Sequence, residues 1–220
     1  MSPRIVFECE LEILKDNVEK MSLQVEKTYD ELFTAVEQKD EEKIMKLMEC
    51  DRVVADMERH IESQCLALIT RQQPVARDLR MITTGLKVVT DIERAGDHVA
   101  DMAELLLRIG MTPLKSYSEH LDPMIIATKE LLHDAVEAFV GRNEIAAEDV
   151  ISGDDIIDDL FNKVKRDLIE YLKKETKNAD ECIDILMIAK YLEKIGDHAV
   201  NIAEWELFRE TGELGDVRLL

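Results

Sequence analysis

Residues 93–101 read ERAGDHVAD, and residues 193–201 read EKIGDHAVN. An acid, a glycine, a second acid and a histidine recur at the same spacing, a hundred residues apart. Aligning 88–104 with 188–204 gives identical pairs at Glu93/Glu193, Gly96/Gly196, Asp97/Asp197, His98/His198, Ala103/Ala203 and Glu104/Glu204. Arg94 becomes Lys194 and Asp101 becomes Asn201.

Working outward, AVEQKDEEKIMKLMECD (35–51) pairs with AFVGRNEIAAEDVISGD (138–154), at an offset of 103 instead of 100. A duplication whose first copy carries about three extra residues in the connection containing Pro74 accounts for both offsets. Apolar residues recur at three and four positions almost throughout, the helical period. The few breakers define six segments: 5–38, 41–70, 75–109, 119–141, 144–174 and 179–209. Long helices joined by short links pack as antiparallel neighbours. The expected fold is therefore all-α: six long antiparallel helices as two tandem three-helix bundles, over 1–112 and 113–220, divided near Gly110 and Pro113.

Composition agrees. Apolar residues make up 46% of 220, enough for a substantial core, while aromatics are 5% and charged residues 35%, a profile that favours helices over a β-sandwich. The net charge of −20 repels nucleic acid phosphates and anionic lipid heads, so cations and basic protein surfaces are the natural partners. No stretch reads as a signal peptide or a membrane span. The four cysteines (Cys9, Cys50, Cys65, Cys182) show no CxxC spacing and read as buried free thiols in a reducing cytoplasm.

On a helix, Glu93, Asp97 and Asp101 share one face. Solvated, such like charges cost only about 0.2–0.5 kcal/mol per pair, so spacing alone decides nothing. Three features add weight. Counted in heptad steps, Glu93 falls in the apolar series Ile82, Leu86, Val89, Glu93, Gly96, Ala100, Ala103, although a second series (Ile92, Ala95, Val99, Met102) runs beside it. A mid-helix glycine costs about 1 kcal/mol against alanine, which suggests close approach by another backbone. Antiparallel pairing also sets Asp51 level with Glu93, Asp154 with Asp197, and Asp158 with Glu193. Such oxygen-only sets suit Mg, Mn, Fe or Zn. A salt-bridge lattice using Arg77, Arg80, Arg94 and Lys194, or plain solvated surface, are the alternatives. His98 and His198 turn about 100° from the adjacent aspartate, so a place at a bundle seam or surface is favoured over ligation. Di-iron bundles use Glu-x-x-His, which is absent from these strings. Neither a Gly-rich phosphate loop nor a nucleophile elbow is present, so no enzyme chemistry is expected.

RQQPVARDLR (71–80), ERAGDHVAD, GDDIIDDLF (153–161) and EKIGDHAVN stand in the order and spacing that resemble the PhoU family, over nearly the whole chain. The resemblance implies a duplicated three-helix bundle and a cytoplasmic, often homodimeric, non-enzymatic regulator of phosphate uptake and of the phosphate-starvation response. It implies multinuclear divalent or trivalent metal clusters on E/D-x-x-x-D motifs. Its implied partners are the ATPase subunit of the phosphate ABC transporter and a membrane sensor histidine kinase. It would reach the membrane only through them, with no nucleic acid involved. Carried across, Glu93 and Asp97 match the first motif, Glu193 and Asp197 its repeat, and Asp154 and Asp158 the motif of the fifth segment. Asp51 matches in the second segment, but Ala55 stands where a second acid belongs. An iron-handling bundle, an accessory to another phosphate carrier and a metal-free scaffold are the competing readings.

Overall fold

The apolar period continues as helix almost wherever the sequence offers no breaker. In the computed structural model, which describes residues 3–48, 51–110, 112–214 and 217–218, the described residues form seven α-helices. These are α1 (Pro3–Gln38), α2 (Glu41–Leu47), α3 (Asp51–Gln72), α4 (Arg77–Arg108), α5 (Leu121–Gly141), α6 (Glu144–Lys174) and α7 (Ala179–Thr211). A 3-10 turn at Leu114–Ser116 precedes α5, and a two-residue antiparallel pair, Glu213–Leu214 with Val217–Arg218, follows α7. The fold is all-α, as the periodicity indicates.

The two repeats turn the same corner with the same chemistry. Lys39 and Arg142, equivalent in sequence, both take the left-handed conformation, at φ 56° and 57°. The next residues, Asp40 and Asn143, cap the following helices by accepting from Lys43 N at 3.0 Å and Ala146 N at 3.2 Å. Their own N–H groups reach back to Ala35 O and Ala138 O, at 2.9 Å in each case. A short acceptor side chain satisfies a donor that the first turn leaves unpaired. The same corner built twice is a structural mark of the duplication.

Two expectations are corrected. The segment 41–70 is not one helix: α2 ends at Leu47, Met48 forms a turn, and residues 49–50 lie outside the described residues. The extra residues of the first repeat are not a longer loop either. Residues 73–76 and 175–178 are links of equal length, so the additional residues lengthen the ends of α3 and α4. Pro74 fixes where the helix stops but does not lengthen the gap.

Helices α1, α3 and α4 pack together, as do α5, α6 and α7, and the most extensive contact of all joins α4 to α7. Cross-partners show that α4 and α7 run antiparallel: Arg77 pairs with Glu210 at 2.8 Å, Asp91 with His198 at 2.9 Å and Arg108 with Asp184 at 3.3 Å. Both central helices are therefore apolar over a wide arc. Ile92, Ala95, Val99 and Met102 are fully enclosed, as are Leu192, Ile195, Ala199 and Ile202. The series through Glu93 is the edge of this core, not its centre. Cys65 and Cys182 are buried free thiols as expected, but Cys9 is exposed, which corrects the expectation of burial there; Cys50 lies outside the described residues.

At the C-terminal end of α7, Glu206 is fully buried against Arg209, with Oε1 2.5 Å from Nη2. Arg209 also donates to Phe139 O at 2.9 Å and lies over the Phe139 ring. Burial pushes Glu206 up to about 7, against the pull of Arg209. Removing one member of a buried pair strands the other. Arg209→Met should therefore cost about 3–5 kcal/mol at pH 8 in urea unfolding, and adding Glu206→Leu should restore most of it. The raised acid contributes stability that is whole below its unfolded value of 4.5 and lost as pH rises through about 7. The stability of the wild type relative to Glu206→Gln should fall across that window and be flat above it.

Candidate metal centre

Gly196 lets α6 close onto α7. A Cβ there would stand 3.0 Å from Ile157 Cδ1 and 3.1 Å from Asp154 Oδ1. At Gly96 it would stand 3.3 Å from Val54 Cγ1 and 3.4 Å from Val25 Cγ2. Both glycines thus make room for side chains of neighbouring helices, not for a backbone, which corrects the sequence expectation. In the second repeat one of those neighbours is a carboxylate.

That carboxylate is left uncompensated at one oxygen. Asp154 Oδ1 is buried and, among the described residues, has no hydrogen-bond partner. Burial pushes the group up to about 6, and repulsion from Asp158, Asp197, Glu193 and Asp155 adds to the rise. Charges from α6 and α7 therefore meet at one level, the level the antiparallel pairing predicts. Glu193 is largely enclosed, with 13% of its side chain exposed, and Glu93 stands similarly at 16%.

The motif acids also have cationic neighbours. Lys190 bonds Glu193, and Lys194 bonds Asp197 while standing 3.6 Å from Glu193. Arg94 lies 3.2 Å from Asp97 and 3.6 Å from Glu93. Arg77 and Arg80, expected to join them, lie at the far end of α4, where Arg77 meets Glu210 and Arg80 donates to the Arg209 carbonyl. Among the described residues, no three His, Cys, Asp or Glu side chains are gathered as a ready ligand set. The side chain of Asp51 lies outside the described residues. Asp158 is exposed. Asp101 is bonded by Tyr191 of α7, and His98 of its own helix stands 3.9 Å off.

The donor set nonetheless fits a hard or borderline cation. A buried carboxylate oxygen without a donor, near four acids of its own and the next helix, needs positive charge or a proton. Asp154, Glu193 and Asp197 could supply the oxygens, with Asp158 at the rim. Lys190 and Lys194 would have to swing aside, which long exposed stems permit.

The histidines occupy the seam between the repeats. His198 Nδ1 lies 2.9 Å from Asp91 Oδ1, and Asn201 donates to the same oxygen at 3.1 Å. The His98 ring stacks on Tyr191 and lies 5.6 Å from the His198 ring. Burial, helped by His198, pulls His98 down to about 4, so it is neutral at physiological pH. Sequence reading overlooked Asp91 and Tyr191 because they differ between the repeats; the Asp101/Asn201 exchange is the trace of this asymmetry.

The fold and site define a duplicated all-α bundle carrying a twinned acidic motif on its two central helices, and none of the described helices is long and apolar enough to cross a membrane. The family model described as the PhoU domain matches residues 18–106 and again 121–205. The chain belongs to the PhoU family. It is 32% identical over 215 residues to the phosphate-specific transport system accessory protein PhoU homolog of Clostridium acetobutylicum, covering 97% of this chain and 98% of that one. It is 31% identical to PhoU homolog 1 of Thermotoga maritima, covering 97% and 92%. The crystal structure of PhoU from Pseudomonas aeruginosa superposes with a TM-score of 0.86 at 27% identity, over 94% of this chain and all of that one. The phosphate transport system regulatory protein PhoU from Streptococcus pneumoniae gives 0.87 at 26%, over 96% and 100%.

Gly85 of α4 gives the control for the glycine contact. A Cβ there would meet Leu14 Cδ2 at 3.8 Å and Cys65 Sγ at 3.9 Å, ordinary contact distances. Gly85→Ala should stabilise by about 0.5–1 kcal/mol through helix propensity alone. Gly196→Ala should instead destabilise in the same thermal or urea melt, because Ile157 and Asp154 must move.

Proposed function

We propose that this chain is a non-enzymatic accessory regulator of phosphate transport whose acidic motifs hold metal ions. Membership of the PhoU family supports the regulatory reading, and its relatives are named as accessory proteins of phosphate-specific transport systems. In that role it sits in the cytoplasm as a homodimer and couples the ATPase subunit of a phosphate ABC transporter to a membrane sensor histidine kinase. It reaches the membrane only through those partners and makes no contact with nucleic acid.

The observation that carries the metal reading is the orphaned Oδ1 of Asp154, held beside Glu193 and Asp197 at the Gly196 contact. Asp154, Glu193 and Asp197 hold the second site, with Asp158 at its edge. Glu93 and Asp97, with Asp51 and Asp101, supply the first. Fe, Zn, Mn and Mg all suit such oxygen donors, singly or in multinuclear clusters. A bound cation would supply positive charge to a surface that otherwise repels acidic partners. The protein's own part is to hold carboxylates from two helices at one level. It keeps Lys190, Lys194 and Arg94 ready to neutralise them when the metal leaves. The two sites should differ in affinity, since Ala55 replaces an acid in the first and Asn201 replaces one in the second.

Elemental analysis of freshly purified protein is the direct test. Wild type should carry bound metal, and Asp154→Asn with Glu193→Gln and Asp197→Asn should lose the share belonging to the second site. Far-UV dichroism should stay helical, because the enclosed core of α4 and α7 supplies most of the stability. Wild type purified without any metal would sink the proposal. The adaptor role is checked by pull-down with the ATPase subunit and the sensor kinase. Binding to neither, at any phosphate level, would refute it.

A further inference from the structure

The outer face of the second repeat carries a cleft of about 640 Å³ between α5 and α6. Its floor is apolar: Leu131 and Ala138 of α5 face Val150 and Ile157 of α6. Ala146 and Gly153 keep that floor low, and α6 comes so close that a Cβ on Gly153 would stand 2.9 Å from Leu131 Cδ1. Ile156 stands at its edge, 59% exposed. The rim is acidic: Glu130, Asp134 and Glu137 mark successive turns of α5, and Asp149 stands opposite on α6. Among the described residues no Lys or Arg lines the cleft. Among the described residues none of these four carboxylates has an ion pair or hydrogen bond, whereas the motif acids Glu93, Asp97, Glu193 and Asp197 all do.

We propose that this cleft is a docking site for a basic amphipathic helix of a partner protein. An apolar floor between acidic rims is the complement of a helix with leucine-like residues on one face and lysine or arginine flanking them. The lining runs from Ala127 to Gly141 on α5, about 21 Å of helix, which seats roughly 14 residues of a partner at 1.5 Å each. Among the described residues nothing neutralises these carboxylates, so cations brought by a partner displace no described pair. Anionic lipid is excluded as the occupant by the chain's net charge of −20. None of the residues assigned to metal lines the cleft, so the proposal stands apart from the metal reading.

The test uses the full chain and a fluorescein-labelled 18-residue peptide of leucine and lysine with helical amphipathic spacing. A scramble of the same composition is the comparison, at physiological salt, with and without EDTA. The amphipathic peptide should bind at least about tenfold more tightly than the scramble, about 1.4 kcal/mol, and EDTA should not matter. Glu130→Lys, Glu137→Lys and Asp149→Lys together should weaken binding at least about tenfold. Asp16→Lys, Glu19→Lys and Glu41→Lys, an equal change in net charge elsewhere, should weaken it less than about threefold. Ile156→Asp, a single exposed change that leaves every rim carboxylate in place, should also weaken it. Equal losses in both triple variants, or equal binding of the scramble, would overturn the proposal by showing mere attraction to an acidic surface. Conversion of a wild-type dimer to monomer by the cleft variant in sedimentation would also overturn it, by assigning the cleft to a second copy of this chain.

Discussion

A carboxylate oxygen enclosed at a helix contact, with no donor to meet it, must be explained by whatever supplies its missing charge. Asp154 is in that position. Gly196 admits it to the surface of α7, and burial drives its proton affinity upward, with repulsion from Asp158, Asp197 and Glu193 adding to the rise. A structural salt bridge would aim a lysine at that oxygen. Here Lys190 and Lys194 reach Glu193 and Asp197 instead, and Asp154 Oδ1 is left over. In the second repeat the glycine and the acids follow from one requirement, that two helices approach closely where both carry negative charge, whereas in the first Gly96 makes room for Val54 and Val25.

The duplication places these two surfaces back to back. Because α4 and α7 run antiparallel through the centre, the strings that follow Glu93 and Glu193 meet at a seam of His98, His198, Asp91 and Tyr191. The seam is asymmetric. One histidine is bonded to an aspartate, and the other is stacked on a tyrosine, its Nδ1 making no hydrogen bond among the described residues. Each candidate site is therefore one helix face away from a polar contact between the repeats. A change of charge at Glu193 or Asp197 is felt next to the contact that joins the halves.

Much of this was legible in the sequence, for physical reasons that can be named. Helical period and the scarcity of Gly and Pro marked the long helices, and Asp40 and Asn143 lie within the breaker stretches that divide them. Equal levels of Asp154 and Asp197 followed from counting residues to an antiparallel turn. The break after Leu47 was not legible, because no Gly or Pro accompanies it. Placement of Arg77 and Arg80 was misjudged, because a long helix carries them far from Glu93 although they share its chain segment. The i, i+3 spacing of the buried Glu206–Arg209 pair is also that of ordinary surface pairs. Only the packing of Phe139 above it reveals that it is enclosed.

Anomalous diffraction from crystals grown with manganese or zinc addresses the central claim most directly. The account predicts a peak at ligand distance, about 2.0–2.6 Å, from oxygens of Asp154 and of Glu193 or Asp197, with Lys190 and Lys194 turned away from them. Crystals with no peak at that level, and with both lysines still bonded to their carboxylates, would contradict it.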